Sequence, residues 1–243
     1  MSIATRTLEQ LGFAPDERHG PLPALLLVLT IVTGLVDAVS YLELGHVFVA
    51  NMTGNVVFLG FAVADAKDFS IPASLLAIAA FLGGALAGGR LGANLGNHRG
   101  RLLAIATTIE VALVGAAAVV STLGLVPEEH AVQYVLIVLL AVAMGLQNAT
   151  ARRLAVPDLT TTVLTLTLTG IAADSTLAGG ANPNPARRTV ATIAMFVGAG
   201  VGAVLIFQIG AAAALTLALA LLVSNGIVAY RHSSSSDPWT LGK

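Results

Sequence analysis

From Thr189 to Tyr230 the chain carries no Asp, Glu, Lys or Arg, a run of 42 residues. Roughly 20 apolar residues suffice for a helix to cross a bilayer, so this run has room for two crossings. A soluble helical bundle with a very large core is the alternative, and the rest of the chain argues against it. Only 10% of the residues are charged and the mean hydropathy is +0.87, whereas an ordinary soluble domain has about 25% charged residues. The expected fold is an all-α, polytopic integral membrane protein.

Eight hydrophobic segments follow from the spacing of polar breaks. They cover about 23–44, 50–65, 70–90, 101–123, 131–151 and 159–173, then two helices inside the long run, joined near Gln208 and Gly210. Segments two and six are short for a full span and are expected to be partial, tilted or broken, which leaves six to eight spans. Residues 1–20 contain Arg6, Glu9, Asp16, Glu17 and Arg18 and precede an apolar stretch without a convincing small-residue cleavage site. They are expected to be a polar N-terminal extension, cytosolic-facing or interfacial, and not a cleaved signal peptide. Residues 21–230 form a single transmembrane domain. Residues 231–243 are a polar tail whose serine run predicts disorder.

An internal repeat organises the segments. "GLVDAVSYLEL" (34–44) matches "GLQNATARRLA" (145–155), aligning Gly34 with Gly145 and Asp37 with Asn148. "NMTGN" (51–55) falls against "VLTLT" (163–167), with Thr53 opposite Thr165, and "FLGGALAG" (81–88) against "FVGAGVGA" (196–203). The halves are about 21–125 and 126–230. Four spans per half would make the repeats parallel, and one non-spanning segment per half would make them inverted. Eight full spans would put Arg187, Arg188 and the tail's Arg231 outside, against the positive-inside tendency. A non-spanning sixth segment removes that conflict.

Gly84, Gly88, Gly92 and Gly96 recur every four residues and share a face if the helix continues past Arg90. With Gly198 and Gly202 they predict close helix–helix seams. Polar residues within the apolar segments are the functional candidates. Asp37 leads them, because a carboxylate within a membrane helix is expensive unless paired, protonated or wetted. It would suit proton exchange or binding of a cationic group, or else hydrogen bonding to Ser40 or helix termini. Glu110 is similar but has no counterpart in the second half. Glu43 and His46 follow the first segment and would suit a proton relay. Asn51, Thr53 and Asn55 open the short second segment, as Thr162 and Thr165, with Thr169 on the same face, open the sixth. A short helix beginning in polar residues resembles the broken helices that bind solutes at their N-termini. Gln147 and Asn148 end segment five, ahead of Arg152 and Arg153, which read as interfacial anchors.

Other chemistries lack their signatures. The chain has no cysteine, which removes disulfides, thiolate metal sites and CxxC haem attachment. The scattered histidines and carboxylates have no metal-ligand spacing. There is no GxSxG, HExxH or phosphate-binding glycine loop, so neither enzymatic activity nor a cofactor is expected. A net charge of −1 gives no field for nucleic acid.

"TGLVDAVSYLELGHVFVANMTGNVVFLG" (33–60) closely resembles the signature of the YoaK/DUF1275 family of bacterial membrane proteins, and "GLQNATARRLAVPDLTTTVLTLTLTG" (145–170) its second signature. The second departs from the family's usual "TTVVTGT" by carrying Leu166 where the glycine stands. The resemblance spans about residues 20–230. It implies a bacterial inner-membrane protein and no particular reaction, substrate or cofactor. Combined with the repeat, it leads to an expected transporter or channel for a small polar solute, with or without proton coupling. The alternative is a non-enzymatic accessory or scaffold protein. The expected partners are the lipid bilayer, a small polar solute or proton, and a second copy or another membrane protein.

Overall fold

The computed structural model describes residues 13, 17–123, 130–159, 161, 164–181 and 184–241. Among them are eight α-helices: α1 (Leu22–Glu43), α2 (Met52–Val63), α3 (Ile71–Leu95), α4 (Arg99–Thr122), α5 (His130–Leu154), α6 (Leu164–Ala173), α7 (Pro185–Gln208) and α8 (Ala211–Arg231). Prolines in the first turn start α1, α3 and α7, where a missing N–H leaves no helical bond unmade. Ser70 also caps α3 by accepting from the Ala73 N–H at 3.3 Å. Gly210, at φ +127, breaks the long uncharged run into α7 and α8.

Six helices, α1, α3, α4, α5, α7 and α8, are long and apolar enough to cross a membrane. The other two are not. At about 1.5 Å per residue, α2, with 12 residues, and α6, with 10, reach about 18 and 15 Å, against a hydrocarbon core of about 30 Å. Both turn back to the end they came from. After α2, Phe69 sits 6.4 Å from the His46 ring that precedes it. Around α6, Arg188 joins Asp158 before the helix, at 2.8 Å, to Asp174 after it, at 2.7 Å.

Each half therefore has three spans and one re-entrant helix, and the halves are inverted. The C-terminus of α1 lies beside the start of α5, where Gln133 Nε2 donates to the Leu44 carbonyl at 2.8 Å. The end of α5 lies beside the start of α4 and the segment preceding α1, where Arg99 donates to the carbonyls of Leu154 (2.5 Å) and Arg18 (2.9 Å). The central helices form a ring in the order α1–α8–α4–α5. Outside it, α3 packs along α5 and α7 along α1, with α2 on α3 and α6 on α7.

The outer pairs are the glycine seams. Gly84 lies against Val142 and Gly88 against Leu146 and Ala149, while Gly198 lies against Ile31 and Gly202 against Leu35 and Ala38. Gly145 meets Phe81 and Ala85 in return, and Gly34 meets Met195 and Ala199. These reciprocal contacts correct the repeat by one residue, since Gly84 corresponds to Gly198, not to Ala199. Sequence matching anchored the register on two phenylalanines, Phe81 and Phe196. Packing is set by the small residues, and Phe196 is turned outward.

The tail also departs from expectation. Ser235 Oγ donates to Asp237 Oδ2 at 2.6 Å, and Trp239 is buried against Gly20. The apolar indole anchors a segment whose serines alone predict disorder.

Every described arginine, from Arg18 to Arg231, lies at or within two turns of the end where α5 finishes, whereas Lys67, the one described lysine, lies at the other. The positive-inside tendency assigns the arginine end to the cytoplasm. Single cysteines at Lys67 and Leu177, both exposed in a cysteine-free chain, are expected to label with impermeant maleimide from opposite sides, Lys67→Cys from outside. Labelling from one side would contradict the inverted repeat.

Candidate functional site

The re-entrant start of α2 is built around Asp37, two turns before the end of α1. Beyond α1, Gly45 (φ +84) and His46 (φ +56) turn the chain back, and Val47, Val49 and Ala50 bury their side chains. The returning backbone would bring N–H groups into the apolar interior without partners, a loss of several kcal/mol each in lipid. Asp37 meets them. Its Oδ1 accepts from the N–H groups of Val49 (3.1 Å) and Ala50 (2.9 Å), and its Oδ2 accepts from Asn51 Nδ2.

Asn55, one turn into α2, secures the same loop from the other side. Its Oδ1 accepts from Phe48 N at 2.8 Å and its Nδ2 donates to Phe48 O at 2.5 Å. Asn51 stands at the N-cap of α2 without a side-chain cap bond, and its amide N–H is given to Asp37. The carboxylate thus stands at the positive end of the α2 dipole, where negative charge is favoured. An aromatic column covers the loop, Tyr41 on Phe48 (5.1 Å), Phe48 on Phe58 (5.7 Å) and Phe58 on Phe69 (4.9 Å).

Asn148 is the repeat equivalent of Asp37, and its setting differs. Its Nδ2 donates to the Met144 carbonyl at 2.8 Å. It is half-buried and lines a cleft of about 810 Å³ between α3 and α5, with Phe81, Gly89, Arg152 and Arg153 around it. One member of the equivalent pair is sealed beneath a loop, and the other borders an open cleft.

Between them, Gln147 of α5 donates to Thr33 Oγ1 of α1 at 2.8 Å, and Thr33 donates onward to the Leu29 carbonyl at 2.9 Å. Thr33 is a linking residue that sequence reasoning missed, although it stands one helical turn from Asp37 on the same face. Asp158, Asp174 and Arg188 were missed as well. They come together across 30 residues with no fixed spacing, and the only sequence signal was opposite charge at the borders of one short segment.

The other expected residues are dispersed. Glu43 and His46 are exposed at the end of α1, apart from the carboxylate of Asp37. Thr53 and Thr165 are exposed on α2 and α6, which pack on different helices. Thr169 returns its hydroxyl to the Thr165 carbonyl at 2.8 Å, and Thr162 lies outside the described residues. Glu110 is fully buried on α4. Ser40 bonds the backbone carbonyl of Asp37, not its carboxylate.

Residues 25–228 match the family described as "Protein of unknown function (DUF1275)". The chain is 33% identical over 150 residues to "UPF0700 transmembrane protein YoaK" of Bacillus subtilis (strain 168), a match covering 62% of this chain and 65% of that relative. No solved structure matches.

Proposed function

The chain belongs to the DUF1275 family, and from its architecture we propose that it carries a small polar solute across a bacterial inner membrane. One observation carries this reading. Two re-entrant helices enter from opposite ends of an inverted repeat, and the equivalent polar positions beside them differ in access, Asp37 sealed and Asn148 beside a cleft. Inverted halves that exchange such settings are the physical basis of alternating access. Arg152 and Arg153 at the cleft mouth favour solutes bearing a carboxylate or phosphate. The bacterial relative supports the choice of membrane.

The reading of an accessory or scaffold protein drew on glycine-rich faces offered to a partner. The closest-packed glycines are occupied by the chain's own helices, which favours transport.

The test is a panel of amino acids, monosaccharides, organic acids and polyamines, applied at pH 5–8 to purified protein and to proteoliposomes. At least one solute is expected to raise the melting temperature and to be taken up above protein-free vesicles. Pyranine inside the vesicles reads any accompanying proton. A stabilising solute that is not taken up, or a panel that neither stabilises nor moves, would sink the transport reading.

A further inference from the structure

Among the described residues, nine buried side-chain atoms have no hydrogen-bond partner. Seven of them stand on α4 and the two central-ring helices that flank it, α8 and α5: both oxygens of Glu110 and the hydroxyl of Thr107 on α4, both amide atoms of Asn225 on α8, and Gln147 Oε1 and Thr150 Oγ1 on α5. Glu110, Thr107 and Gln147 are completely buried, Thr150 and Asn225 nearly so.

The helices bring these groups to neighbouring levels. Thr107 touches α8 at Gly226, where an added Cβ would lie 3.4 Å from its methyl, next to Asn225. Since Arg99 reaches the end of α5 and the two helices run antiparallel, Thr107 lies near the level of Gln147. Glu110 is one turn further in, at the middle of α4. Thr107 and Glu110 share a face of α4, as Gln147 and Thr150 share one of α5.

A buried carboxylate without a counter-charge is among the most destabilising arrangements a protein interior holds, more so at mid-membrane. The charged residues of α4, α5 and α8 stand toward the helix ends, at Arg99, Arg101, Arg152, Arg153 and Arg231, with His130 beginning α5. Asp37 of α1 is taken up by its own loop. The other unpartnered groups on these helices are neutral, and they offer four oxygens: the hydroxyls of Thr107 and Thr150 and the amide oxygens of Gln147 and Asn225. Hard cations take oxygen ligands. A single carboxylate neutralises one positive charge, whereas a dication would leave net charge in the hydrocarbon.

We propose that Glu110, Thr107 and Asn225, backed by Gln147 and Thr150 of α5, form a binding site for a monovalent alkali cation of the sodium class inside the α4–α5–α8 core. The site is separate from Asp37 and does not depend on the transport reading, because binding is read on the purified protein whether or not a solute crosses.

The test is thermal unfolding in detergent, titrating sodium from about 1 to about 300 mM against choline at constant ionic strength and pH. A ligand that binds only the folded state raises its melting temperature, here by about 3 °C or more. Glu110→Gln is expected to abolish the sodium response and to melt higher than wild type in choline, since the uncompensated charge is gone. Thr107→Val is expected to move the sodium midpoint up by about tenfold, a loss of one ligand. Equal melting in sodium, lithium, potassium and choline would overturn the proposal, as would a full sodium response in Glu110→Gln. Melting that rises with acid while ignoring sodium would assign Glu110 a proton in place of a cation, and also overturns it.

Discussion

Gly84→Ala, Gly145→Ala and Gly198→Ala are each expected to lower the melting temperature sharply, while Gly83→Ala and Gly200→Ala leave it unchanged or slightly raised. A Cβ on Gly84 would stand 2.1 Å from the Val142 carbonyl oxygen, on Gly145 2.1 Å from that of Phe81, and on Gly198 2.2 Å from that of Ile31. These obstacles are helix backbone, not flexible side-chain ends, so relief requires moving α3 off α5 or α7 off α1. Overpacking a well-filled interior costs about 1–3 kcal/mol and sometimes more, and here the strain falls along a whole seam. An added Cβ at Gly83 or Gly200 meets nothing within 4 Å, leaving only the helix-propensity gain of alanine over glycine, up to about 1 kcal/mol. Melting of the five variants in one detergent, with size-exclusion profiles, checks this. If Gly84→Ala melts like Gly83→Ala, the seam is not as close as described.

The reciprocity of those contacts explains why much of the fold was legible in the sequence. Apolar length alone separates the six spans from the two short helices, and Gly210 marks the last junction. The positions of Arg187 and Arg188 already argued that segment six does not cross. The register of the repeat was not legible to the residue, because a glycine in a seam and a glycine facing lipid read alike. Gly83 and Gly84 are adjacent, and only the neighbouring helix distinguishes them. At the candidate site, "DAVSYLELGHVFVANMTGN" did announce a polar join, and Asp37, Asn51 and Asn55 do meet there. What it could not announce is the direction of the bonds. A carboxylate in a membrane helix suggests a group awaiting a proton or a ligand, yet Asp37 spends its oxygens on backbone amides twelve and thirteen residues along. Glu110 gave the weaker sequence signal and is the carboxylate left without partners. The difference lies in long-range geometry, since only Asp37 has a loop returning beneath it.

Asp37→Ala is expected to be the most damaging single polar substitution in the chain. It leaves the N–H groups of Val49 and Ala50 and the amide of Asn51 without their acceptor. Each buried donor so orphaned costs about 1–3 kcal/mol, so about 3–9 kcal/mol is at stake for the three, against a total stability that is commonly about 5–15 kcal/mol. Asp37→Asn keeps one oxygen but turns an N–H group toward a ring of donors, and is expected to lose about half as much. Neither change should unfold the central ring first, because Gln147 and Thr33 link α5 to α1 independently of the loop. The local consequence is release of residues 47–51, read by a cysteine at Ala50. Buried in wild type, Ala50→Cys should resist maleimide there and react at least tenfold faster in the Asp37→Asn background. Unchanged melting together with a protected Ala50→Cys would remove Asp37 from the role of latch. The same pair of measurements bears on transport. If a solute reaches Asp37 during the cycle it must displace the loop, so a stabilising solute should speed labelling of Ala50→Cys in the otherwise wild-type protein. A solute that binds only at the Asn148 cleft should leave that rate alone.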